Sequence, residues 1–186
     1  MIPLALNPSS VRIGLAGAGA PAARRLAALR AGGAEPAVFA ADDALAAEPG
    51  ALPFPPDAAA LEGLHLLYIA GLEPAQFTPL AEAARARNLL VNVEDVPDYC
   101  DFHAVAEIRR GDLLLTVSTG GAAPGLAGHI RRALEEVFPA VWAERVAEIA
   151  ALRRGWRAEG VPMAEAARHI GALMRERCWL PVSTPE

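Results

Sequence analysis

The 186-residue sequence has no lysine, so all 17 of its basic side chains are arginine. Without lysine, neither a Schiff-base nucleophile nor a P-loop amine can operate. Cysteine is scarce too: Cys100 and Cys178 stand far apart, in none of the spacings that bind metals or run CxxC redox chemistry, as expected of a reduced, cytoplasmic protein. No apolar run is long enough for export or for crossing a membrane, and the N-terminal MIPLALNPSSVRIG lacks the basic start of a signal peptide. A basic excess is also missing, because the net charge is -5, which argues against a general nucleic-acid binder. Aromatics make up 5% and the apolar share is 53%, so a folded core is expected, built mostly from aliphatic side chains.

What is present is an alternation of short apolar runs and helical spacings. Residues 11–16 (VRIGLA) break into Gly17-Ala18-Gly19-Ala20-Pro21-Ala22, followed by a helix with Leu26 and Leu29 between arginines and a stop at Gly32-Gly33. Residues 35–40 read as the next strand and complete a βαβ unit. Residues 44–63 are too rich in proline for a long helix and read as a loop with a short helix or edge strand. Residues 64–70 (LHLLYIA) form a nearly continuous apolar strand, residues 75–88 a helix and residues 89–93 a further strand. A short helix is expected over 104–110, a turn at Gly111-Asp112, a strand over 113–117, and helices from Pro124 almost to the end. The pattern predicts an α/β fold: a Rossmann-like parallel sheet over 1–112, a connecting strand and helix over 113–139, and a helical dimerisation region over 140–186.

Several stretches carry chemistry, each beside a plainer reading. Gly17-x-Gly19-x-x-Ala22, between strand and helix, is a dinucleotide fingerprint: the glycines permit a tight turn and close backbone approach, and Ala22 lets helix pack on strand. Taken alone it is also a structural turn. Asp42 stands slightly later than the ribose-binding acid of that motif. Asp95, at a strand end, is either an acid or base or a turn residue; His103 is a half-buried packing residue and Asp101 a cap. Ser118-Thr119-Gly120-Gly121 offers unobstructed amides before a helix, suited to a carboxylate or phosphate, or simply makes a turn and N-cap. Arg109 and Arg131 are solvated charges unless they point into a crevice, where their forks suit carboxylates.

The block VNVEDVPDYCDF followed by RRGDLLLTVSTGGAAPGLAGHIRRALEEVFP resembles the precorrin-2 dehydrogenase family, the siroheme synthase N-terminal module that in some members also acts as sirohydrochlorin ferrochelatase. The family's Asn-Val-Val-Asp strand end corresponds to Asn92 through Asp95. Its Cys-Asp-Phe turn corresponds to Cys100 through Phe102, and its Ser-Ser/Thr-Gly-Gly-x-x-Pro-x-Leu-Ala helix start to Ser118 through Ala127.

The resemblance implies an NAD-dependent oxidation of precorrin-2 to sirohydrochlorin by a homodimer, with Asp95 as the catalytic residue. It implies that Gly17, Ala18, Gly19, Ala20, Pro21, Ala22, Asp42 and Gly71 hold NAD. Ser118, Thr119, Gly120, Gly121, His103, Arg109 and Arg131 would meet the carboxylates of the tetrapyrrole. Insertion of Fe2+ or Co2+ is a further step in some members, and no metal-ligand set stands out here. A chelatase alone, or a non-catalytic tetrapyrrole- or nucleotide-binding protein, are the rival readings. This chain departs from the family pattern in Glu94, where valine is usual, in Pro21, and in Gly71-Leu72-Glu73.

Overall fold

Short strands that are apolar on both faces give the first half of the chain a parallel sheet. The structure is a computed structural model that describes residues 2–180. It comprises two units, Met1–Ala104 and Val105–Glu186. In the first, strands β1 (Ile13–Gly17), β2 (Ala37–Ala40), β3 (Leu52–Pro53), β4 (Leu66–Ala70) and β5 (Leu90–Val93) pair in parallel in the order β3-β2-β1-β4-β5. Helices α1 (Gly19–Ala31), α2 (Asp43–Ala46), α3 (Ala58–Leu61) and α4 (Pro74–Arg85) connect them.

Because side chains alternate along a strand, neighbouring residues serve opposite faces. Leu15 and Val38 pack with Ala22 and Leu26 of α1 and with Leu45 of α2. Ala16, Phe39, Ile69 and Val91 pack with Leu61 of α3 and with Phe77, Leu80 and Ala84 of α4. Phe39 is fully buried there, worth about 1.5–3 kcal/mol relative to exposure. The helix over 74–85 thus turns inward Phe77, Leu80 and Ala84, whose spacing of three and four residues places them on one helical face. The proline-rich stretch 44–63 resolves into two four-residue helices and a two-residue edge strand.

The chain runs from β1 outward through β2 to β3, then continues on the other side of β1 with β4 and β5. Connections therefore leave β1 and β4 in opposite directions, which opens a crevice at their carboxyl ends. The free edge of β5 is covered by its own return loop. Asp101 N–H donates to the Val91 carbonyl at 2.8 Å, and Asp101 Oδ2 accepts from Val91 N–H at 2.9 Å. Arg85 holds the same carboxylate through Nε and Nη2 at 3.1–3.2 Å. Filling an edge strand's hydrogen bonds in this way removes a template for unwanted pairing.

The second unit begins with β6 (Ala106–Arg110), where the sequence predicts a short helix. The segment is a strand because it pairs antiparallel with β7 (Leu113–Val117), apart from the parallel sheet, and buries Ile108. Cross-strand pairing outweighs the helical preference of Ala-Glu-Ile-Arg-Arg. Gly111, with φ +58°, opens the two-residue hairpin loop, a position that favours glycine. Helices α5 (Pro124–Val137), α6 (Trp142–Ala158) and α7 (Met163–Glu176) follow. Trp142 is buried against Phe138 and Trp179, and the Arg145 guanidinium lies 5.0 and 5.1 Å from the two indole rings. The last six residues of the expected helical tail lie outside the described residues. Among the described residues no helix is long and apolar enough to cross a membrane.

Candidate functional site

The turn after β1 is built by close backbone contact. A Cβ on Gly17 would lie 2.3 Å from the Ala70 carbonyl oxygen and 2.8 Å from the Ala22 Cβ, so both the glycine and the small residue five positions later are required. A Cβ on Gly71, just beyond β4, would lie 2.2 Å from the Ala18 carbonyl oxygen. The two connections at the crevice therefore touch through their main chains, joined by the Ala18 N–H to Ala70 carbonyl bond at 3.1 Å.

Gly19 has φ +63°, and a Cβ there would meet only Pro21 Cδ, at 3.8 Å. Its surroundings are open where its backbone is strained for other residues. The amides at the start of α1 divide as follows. Ala18 bonds Ala70, Gly19 donates to Asp42 Oδ2 at 2.6 Å, and Pro21 has no N–H. Among the described residues, the Ala20 amide is left without a partner inside the helix. Asp42 also caps α2 by accepting from Leu45 N–H at 2.8 Å. The Leu45 and Gly19 amides, in that order, hold its carboxyl below the usual range. The acid that looks late in sequence thus reaches the Gly-rich turn.

At the end of β5 the two acids part. Glu94 is held by Arg25 at 3.4 Å and Arg24 at 3.8 Å, both on α1, and the Arg25 guanidinium lies 5.2 Å from the Tyr68 ring centroid. Asp95 is exposed and has φ +65°, a left-handed conformation uncommon for residues other than glycine. Val96 N–H donates to the Val93 carbonyl at 3.1 Å and closes the turn around it. Asn92, 5% exposed, gives one amide hydrogen to the Phe102 carbonyl at 2.8 Å and approaches Cys100 Sγ at 3.4 Å. Cys100 Sγ in turn lies 3.2 Å from the Val93 carbonyl and 3.4 Å from that of Val96. Burial pushes the Cys100 thiol pKa up.

His103 is half-buried at the end of this return loop. Gly17 through Ala22, Asp42, Gly71 and Asp95 thus all follow carboxyl ends of one parallel sheet. Sequence reasoning did not anticipate the Glu94 clasp or the Asn92–Cys100 contacts. The one local signal for the latter is a polar residue inside an otherwise apolar strand.

The remaining expected residues belong to the second unit. Ser118 Oγ accepts from Gly120 N–H at 3.3 Å and Thr119 Oγ1 from Ala123 N–H at 3.1 Å, so these hydroxyls shape the turn before α5. Gly120 and Gly121 have φ +68° and +82° and are exposed. Arg109 forms a forked pair with Glu107 at 3.0 Å, and Arg131 pairs with Glu135 at 2.6 Å. Both arginines are balanced by neighbours on their own element. Among the described residues, no three His, Cys, Asp or Glu gather as a metal site would.

Comparison with known proteins adds a family. Residues 4–106, more than half of the chain, match the family described as "Putative NAD(P)-binding". A siroheme synthase of Methylococcus capsulatus is 38% identical over 109 residues, covering 59% of this chain and 23% of that protein. One from Nitrosococcus oceani is 30% identical over 164 residues, covering 82% of this chain and 34% of the relative. The "Siroheme biosynthesis protein met8" of Schizosaccharomyces pombe is 32% identical over 108 residues, 58% of this chain and 40% of that one. The matched stretch thus spans between about a fifth and two fifths of these relatives' length. Among solved structures, "SirC, precorrin-2 dehydrogenase" superposes with a TM-score of 0.75 at 18% identity, covering 98% of this chain and 93% of that one, which establishes a shared fold.

Proposed function

This chain belongs to the family described as "Putative NAD(P)-binding" and has siroheme synthases among its relatives, and from that premise we propose that it oxidises precorrin-2 to sirohydrochlorin with NAD. The observation that carries the reading is the crevice between β1 and β4. There the Gly17 and Gly71 main chains pack with no room for a Cβ, and Gly19 leaves open space at the mouth of α1. A pyrophosphate suits such a turn, because the helix start supplies amides and a positive dipole end. Here the Ala20 amide is available, and that of Gly19 becomes so if Asp42 turns to a ribose.

Asp42 is also why NAD is the fitting cofactor rather than NADP. A carboxylate at this position accepts from ribose hydroxyls and repels a 2′-phosphate. When bound, NAD supplies the acceptor for a hydride. The protein's share is to orient the substrate and handle the proton released with that hydride. Asp95 is the residue we assign to that task, since it is exposed at a strand end while Glu94 is neutralised by Arg24 and Arg25. Two strand spacings, about 10 Å, separate its strand from β1.

Ser118 through Gly121, His103, Arg109 and Arg131 are assigned to the substrate's carboxylates. For the two arginines this means exchanging Glu107 and Glu135 for the substrate. A homodimer is proposed because Leu126, Ile130 and Val137 leave one side of α5 apolar and exposed. The free thiols Cys100 and Cys178 suit a reducing cytoplasm.

The test is to mix the protein with NAD and precorrin-2 and follow NADH and sirohydrochlorin by absorbance. Asp95→Asn is expected to abolish turnover with NAD affinity within twofold of wild type; unchanged turnover removes Asp95 from the mechanism. Supplying sirohydrochlorin with iron or cobalt and no NAD tests metal insertion separately.

A further inference from the structure

Asp95 has φ +65°, in the left-handed region that aspartate tolerates at turns, and the contacts around this turn hold it there. Residues 94–99 make an excursion from the end of β5, and its neck is closed between residues 91–93 and 100–102. On one side of the neck the Asp101 main chain and carboxylate pair with both backbone groups of Val91. On the other, Asn92 spends both hydrogens of its amide nitrogen, one on the Phe102 carbonyl and one on Cys100 Sγ. The sulfur then sits within reach of two carbonyls, at 3.2 Å from Val93 and 3.4 Å from Val96, one on each flank of Asp95.

We infer that Cys100 is a positioning residue: its thiol, oriented by Asn92, braces the Val93 and Val96 carbonyls and thereby fixes the turn that presents Asp95. The single thiol hydrogen serves these carbonyls, while the sulfur accepts from Asn92. This is a chain of donors in which each bond polarises the next. Burial raises the thiol's pKa, so the hydrogen stays on sulfur at neutral pH. Val93 accepts from Val96 N–H as well, so losing the thiol loosens the bond that closes the turn. A cysteine kept merely as a small apolar filler would behave differently, because alanine would then replace it better than serine.

The catalytic part of this inference rests on the proposed role of Asp95; the conformational part does not. In the full-length chain, Cys100→Ala is expected to speed amide exchange at Val96 at least tenfold, with Val91 and Asp101 changing less than threefold. It should lower kcat for precorrin-2 oxidation tenfold or more while NAD affinity stays within twofold. Cys100→Ser, which keeps a donor, is expected to restore most of both losses.

Wild-type exchange at Val96 in the alanine variant, or a serine variant that behaves worse than alanine, overturns the inference. Should the alanine variant not fold, the serine variant must keep Val96 exchange within threefold of wild type, and a larger change overturns it. If the wild type itself fails to oxidise precorrin-2, the functional reading falls, and exchange at Val96 still decides whether the thiol holds the turn.

Discussion

Replacing Gly71 by alanine tests whether the crevice depends on main chains in direct contact. The added Cβ would lie 2.2 Å from the Ala18 carbonyl oxygen, whereas close carbon-to-oxygen contacts stand at about 3.3 Å. One of the two turns must therefore retreat by about 1 Å. The Ala18 N–H to Ala70 bond joins them at that point and is strained or lost, worth about 0.5–1.5 kcal/mol. Gly71 also has φ +68°, where an alanine costs roughly 1–2 kcal/mol. Together these give a destabilisation on the order of 2–3 kcal/mol, read from urea unfolding.

Displacing the Ala18 carbonyl also reshapes the turn assigned to NAD, so calorimetric NAD affinity should fall at least tenfold. Gly50→Ala supplies the control: it shares the positive φ, +77°, but has no atom within 4 Å of the new Cβ. It should carry only the backbone cost of roughly 1–2 kcal/mol and leave NAD binding alone. If the two variants lose the same stability and bind NAD equally well, the contact between turns is not what requires glycine at 71.

Asp42 and Asp101 supply the other tests. Asp42→Ala should narrow the preference for NAD over NADP by at least tenfold in paired binding titrations. Because the Leu45 and Gly19 amides depress its carboxyl from 3.8, the stability Asp42 adds is present above that value and is lost as pH falls through its lower folded value, a loss absent from the alanine variant. Asp101→Ala removes the Arg85 pair and the acceptor for Val91 N–H. Since the paired side chains are 35% and 30% exposed, the charge interaction is discounted and a total of about 1–2 kcal/mol is expected. Faster amide exchange at Val91 would mark the uncovered edge, and protection equal to wild type would show that the loop needs no carboxylate there.

Residue pattern alone determined the alternation of strands and helices, the inward face of α4, the Gly-rich turn and the stretch that places the chain in its family. These are consequences of local periodicity and backbone geometry, which leave their mark within ten or fifteen consecutive residues. Tertiary structure decided what depends on partners distant in sequence. It made residues 106–110 a strand, because β7 offered a ladder worth more than a helix. It brought Asp42 to Gly19 across 23 positions and turned Glu94 to Arg25 across 69. It also made Asn92, Cys100 and Asp101 fasteners of one loop, since hydrogen-bond partners are chosen by where the sheet's register delivers them and not by spacing along the chain.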